Sequence, residues 1–255
     1  MCIFTGNVEE VGSTKIFVSD LGEQHCTAYE MKLNKHHKNV AMVLPVPSND
    51  IEFFEFVSLK ECPNFFKELD KCFPERKLRS ASVASRMLSL PVFEVGDFIA
   101  SIVPNRSAFL KLDEQFRLSM DVWKALPKYS DWMYAVFQLK KGLTNIEHPI
   151  AYKYKPLNSE QLFFPTIHVH EGHPEDKSYY DHTLYYQSLG KFTGDAPEKW
   201  ETSRSPKQYT SDEFKKSQEF VNDDKAIVCR RIDGYQNNTD LFLQSGSKIT
   251  ELLVK

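Results

Sequence analysis

The chain has 255 residues, 41% of them apolar and 13% aromatic, enough to bury a sizeable core. Its 32 basic and 35 acidic residues leave a net charge of −3 with no long basic stripe, which excludes the electrostatic footprint of a nucleic-acid binder. No apolar run approaches the ~20 residues that span a bilayer, so no membrane segment is expected.

Five cysteines (Cys2, Cys26, Cys62, Cys72 and Cys229) are odd in number and contain no CxxC pair. A reduced, cytoplasmic setting fits that usage. The N-terminal residues 1–6 lack a basic region followed by an apolar stretch, so no secretory signal is expected.

In chain order, residues 1–60 read as an antiparallel strand meander. Ile3–Phe4, Thr14–Val18, Cys26–Met31, Val40–Leu44 and Ile51–Val57 are β-rich runs separated by turn material. Parallel crossovers would need helices between them, and there is no room for any. Residues 61–130 read as a helical insert. Cys62, Phe65, Phe66, Leu69 and Phe73 recur at helical spacing between Pro63 and Pro74. Ser80–Leu90 is a second expected helix, Pro91–Val103 returns to strand, and Ser107–Leu112 and Ser119–Leu126 are short helices, the last stopped by Pro127.

Residues 131–190 form a second strand group: Trp132–Leu139, Pro149–Tyr154, Leu162–His170 and His182–Gln187. Gly190–Gln208 reads as a surface loop. In residues 210–255, Thr210-Ser-Asp-Glu213 is a capping box opening a helix, and Ala226–Ile232 and Leu241–Gln244 close the chain as strands. Asp233-Gly-Tyr235 and Asn237-Asn238 read as turns. The expected fold is a single α+β domain with mostly antiparallel sheets and several short helices.

Four of the eight histidines fall between His168 and His182. On a strand, residues i and i+2 share a face, so His168 and His170 are expected side by side. A hairpin over Glu171–Tyr180 would bring His182 opposite them. Neutral imidazoles with carboxylates nearby suit a first-row divalent metal, with His168, His170, His182 and Glu175 as ligands and Glu171 as acid–base partner. The HxHx₄E spacing of His168, His170 and Glu175 resembles the metal half-motif of cupins over that stretch alone; the flanking glycines of that motif are replaced by Leu162 and His182. His173, in a Gly-His-Pro turn, is the weaker ligand. The competing reading is a structural cluster bonded to the neighbouring tyrosines.

Cys2 is a second candidate. Removal of Met1 would free its α-amine to activate its own thiol, the logic of N-terminal-nucleophile amidohydrolases. Bile-salt and penicillin amidase relatives carry an Arg and an Asp soon after the nucleophile; this chain offers Lys15 and Asp20, with no arginine before Arg76. A packed cysteine under the first strand is the alternative. Phosphate-binding loops, GxSxG and kinase signatures are absent. The leading expectation is therefore a hydrolase-like enzyme acting on a small-molecule substrate through a metal-binding histidine site. A Cys2 amidohydrolase and a non-catalytic interaction protein are the alternatives.

Overall fold

The computed structural model describes residues 2–6, 8–36, 40–73, 93–95, 98–126, 129, 131–139, 145–146, 149–169, 175–212, 214–217 and 219–254. The expected helix Ser80–Leu90 lies outside them. The N-terminal half holds β1 (Cys2–Phe4), β2 (Val8–Asp20), β3 (His25–His36), β4 (Ala41–Val46) and β5 (Glu55–Val57). Helix α1 (Phe65–Asp70), β6 (Phe93–Val95), β7 (Phe98–Val103) and helix α2 (Met120–Ala125) follow. Next come β8 (Met133–Leu139), β9 (Asn145–Ile146), β10 (Ile150–Tyr154), β11 (Gln161–Phe164) and β12 (His168–Val169). The chain continues through β13 (Lys177–Ser188), β14 (Glu201–Thr202), β15 (Val228–Asn237), β16 (Asp240–Gln244) and β17 (Thr250–Val254).

These strands build three sheets. The first has the order β12-β1-β4-β8-β7-β6; the second has β14-β15-β13-β2-β3-β10-β5, with β9 beside β3; the third is β11-β16-β17. Among the described residues, the protein is thus mostly β, with few and short helices. The expected N-terminal meander is corrected: β1 and β4 pair with each other in the first sheet, while β2 and β3 form a hairpin in the second. Among the described strands, β1 pairs in parallel with β12 and β13 with β2. No local crossover helix is needed, because each parallel partner comes from the far half of the chain.

Side-chain alternation explains why the second sheet sits in the middle. Ile16 and Val18 of β2, Tyr29 of β3, Tyr152 of β10 and Leu184 of β13 face inward, into a core shared with the first and third sheets. The residues between them, Phe17, Ala28, Ala151 and Tyr185, face the opposite way into a second core. That second core is closed by α1 and the 3-10 turn Phe214–Ser217. Phe65 is its hub, with its ring 5.4 Å from Phe17 and Phe220 and 5.7 Å from Phe214. Lys15 and Asp70 form a 2.7 Å ion pair, and Tyr185 donates its hydroxyl proton to the same carboxylate, pinning α1 to the sheet.

The first sheet is itself covered twice. Phe137 of β8 meets Phe56 of β5 at 5.7 Å, and Tyr134 meets Trp123 of α2 at 5.1 Å. Helix α2 starts at Ser119, whose hydroxyl accepts the Val122 N–H.

Several local expectations are corrected. Ile51–Val57 is a 3-10 turn, Ile51–Phe53, before the short β5. Ser107–Leu112 is a 3-10 turn, Arg106–Lys111. The capping box at Thr210 opens a single 3-10 turn, and Ser211 donates its N–H to Glu68 of α1 at 2.7 Å. Asp233-Gly-Tyr235 lies inside β15, with Gly234 at φ +89°, a backbone conformation that favours glycine. Pro165 lies between β11 and β12, which sit in different sheets, so Leu162–His170 is not one strand.

Phe65 carries the outer core, so Phe65→Ala is expected to lower unfolding free energy by about 3–5 kcal/mol, as read from urea titration. A change under about 1 kcal/mol would show that the outer layer is not cooperative with the sheets.

Candidate functional site

The histidines meet, by a route other than the expected hairpin. β12 belongs to the first sheet and β13 to the second, so His168 and His182 approach from different sheets. Their Nε2 atoms lie 3.2 Å apart, and their rings are 4.9 Å apart at 49°. Tyr180 packs against both, at 4.8 Å from His168 and 4.7 Å from His182. His182 is 1% exposed and His168 7%.

The chain turn between β15 and β16 holds this seam. The Asn238 side-chain amide acts as a one-residue strand: its Oδ1 accepts the His168 N–H at 2.8 Å, and its Nδ2 donates to the His168 carbonyl at 2.8 Å and to that of Glu175 at 2.9 Å. Asp240 Oδ1 accepts the N–H groups of Thr166 and Ile167, both at 2.8 Å. The segment after Pro165 therefore satisfies its backbone through side chains, as a buried segment must. The sequence marked Asn238 only as turn chemistry. The bonds it makes span some 70 positions, and no local spacing signals them.

An Nε2···Nε2 bond requires one ring to donate and the other to accept. Among the described residues, His182 Nδ1 is buried without a hydrogen-bond partner. An unmet lone pair is less costly than an orphaned N–H, so the arrangement favours the His182 tautomer that carries its proton on Nε2 and donates to His168. Burial holds His182 well below the usual histidine range, and the positive charge at the chain's N-terminus and His168 push the same way. His25, fully buried opposite Asp20 and Tyr154, is likewise lowered by burial, to about 4, against the opposing pull of Asp20.

Beside this seam, the backbone register of β1 and β12 sets Cys2 level with His168. The Cys2 side chain lies outside the described residues, as do His170, Glu171 and His173. Glu175 is exposed, and its carbonyl, bonded to Asn238, makes its contact with the seam. Asp181, adjacent to His182, points to the other face of β13 and accepts the Ser13 N–H at the bulge in β2. Among the described residues, no group of three or more His, Cys, Asp or Glu side chains could hold a metal ion. Cys26, Cys62, Cys72 and Cys229 are buried, and burial pushes Cys72 and Cys229 up to about 12. Such thiols are inert packing groups.

No protein-family model matches the chain. Its fold resembles that of baculovirus P35, whose crystal structure matches with a TM-score of 0.51 at 14% identity, over 92% of this chain and 97% of P35. A mutated baculovirus P35 after caspase cleavage matches at a TM-score of 0.47 and 12% identity, over 93% and 99% of the two chains. The caspase-8/P35 complex matches at 0.40 and 12%, over 95% and 91%.

These findings correct the leading expectation. A metal-binding hydrolase acting on a small molecule through His168, His170, His182 and Glu175 has neither the hairpin nor, among the described residues, the ligand group it requires. The fold instead resembles that of baculovirus P35. The Cys2 amidohydrolase reading falls with the hydrolase expectation. Among the described residues, no helix is long and apolar enough to cross a membrane.

Two measurements test the seam. His182 and His25 are depressed in the folded state, so their contribution is present above the unfolded value of about 6.5 and lost as pH falls below it. Unfolding free energy is expected to drop between pH 6.5 and 5.5 by up to about 1.4 kcal/mol per pH unit for each histidine, and His182→Gln should remove one share. A flat profile would mean that water reaches both rings. Asn238→Ala strands the His168 N–H and carbonyl and is expected to cost about 2–4 kcal/mol, measured by denaturant titration. A cost below 1 kcal/mol would place those groups in water.

Proposed function

We propose that this chain is a non-catalytic protein that works by binding another protein, and that its partner is a protease of the caspase kind. The observation that carries the reading is the extent of the fold likeness: 92% of this chain and 97% of P35. P35 has been solved after caspase cleavage and in complex with caspase-8.

Residues 1–255 would act as one unit in this reading, and the buried thiols of Cys26, Cys72 and Cys229 fit action in a reducing compartment. Large apolar side chains left at the surface, such as Leu110 at 72% and Met120 at 64%, are the kind of group a protein partner covers.

The test is to mix the purified chain with active caspase-8. Size-exclusion chromatography and denaturing gels are expected to show a stable complex or a specific cleavage of the chain, with peptidase activity falling in proportion. Unchanged elution, an intact chain and unchanged peptidase activity at micromolar concentration would reject caspase-type proteases as the partner class.

A further inference from the structure

Resting on the reading that the chain binds a protein, we propose that the groove between the Arg106–Lys111 turn and α2 docks an acidic, apolar-anchored segment of that partner. The groove is about 810 Å³. Its floor is aromatic: Phe109 and Trp123 line it edge to face at 5.0 Å, and the buried Tyr134 ring backs both at 5.1 Å. Its rim carries Leu110 and Met120, both long, apolar and mostly in water. Apolar anchors over a packed aromatic base are where binding energy concentrates at protein interfaces.

Charge selects the occupant. Arg106 and Arg117 line the groove against a single lining carboxylate, Asp131. The Arg106 guanidinium lies over the Trp123 ring at 4.9 Å, and Arg117 donates Nε–H to the Leu112 carbonyl at 2.9 Å. Neither forms an ion pair with a carboxylate among the described residues. The nearby acids are engaged elsewhere or lie outside the lining. Asp113 accepts from Gln115, Asp121 pairs with Lys124 at 3.0 Å, and Glu114 is exposed on the turn before Arg117. Two guanidinium groups with open donor positions match carboxylates in their fork geometry. Rim charges of this kind choose the partner and speed its arrival more than they tighten the complex.

The probe is a fluorescein-labelled peptide, acetyl-Asp-Glu-Leu-Leu-Asp-Glu-amide, titrated with the full chain and read by anisotropy. A basic twin with Lys and Arg in place of the acids is the control. The acidic peptide is expected to bind at least tenfold more tightly than the basic one. Arg117→Glu and the double variant Leu110→Ser, Met120→Ser should each weaken it at least tenfold. Both changes are at exposed positions, so thermal unfolding should be unchanged. Equal binding of the two peptides, retained binding in both variants, or full displacement by polyuridylate RNA would overturn the proposal. No peptide binding alongside an intact caspase-8 complex would sink the groove alone. Peptide binding without a caspase-8 complex would uphold the groove and reject the partner class.

Discussion

The structure depends on a sheet that is apolar on both faces. In β2, Ile16 and Val18 point one way and Phe17 the other, and β3, β10 and β13 repeat the pattern. A sheet of this kind cannot leave either side to water, so it must be enclosed in layers. The first and third sheets close one side. On the other, α1 and the 3-10 turn at Phe214 serve as a cover although both are short. Neither would be stable alone. They persist because Phe65 and its ring neighbours remove a large aromatic area from water, and because Lys15, Asp70 and Tyr185 set where the cover lands.

The same layering explains the buried polar groups. Where three sheets meet, some backbone cannot join a ladder. Asn238 and Asp240 supply the missing partners to residues 166–168. The imidazole pair fills the remaining space with one hydrogen bond and two faces for Tyr180 to pack on. Structurally this is a joint, in which Asn238, Asp240 and the facing imidazoles hold segments of different sheets together. On the outside, by contrast, large apolar side chains such as Leu110 and Met120 face water.

Much of the fold was legible locally. β7, β8 and β10 fall close to where alternation placed them, and α2 follows from Ser119 and the stop at Pro127. What alternation cannot encode is which sheet a strand joins. β1 and β2 are separated by a few residues yet enter different sheets. The histidines show the same limit. Their types and spacing flagged a cluster, and His168 and His182 do touch. The reason they touch is a crossing of two sheets, which leaves no trace at a period of two. The likeness to P35 was less legible still, because at 14% identity it lies in the fold rather than in any local motif.

The parallel pairings set an order on the birth of the molecule. The β2–β3 hairpin is complete early in synthesis, but its flank on β13 and the flank of β1 on β12 wait for residues from 168 onward. Contacts this distant along the chain are slow to form and costly in loop entropy. For as long as the ribosome is still making the second half, a two-faced apolar ribbon stands with one edge open. The nascent chain is therefore a substrate for chaperones and for its own neighbours, and its survival is decided by kinetics before its stability is ever tested.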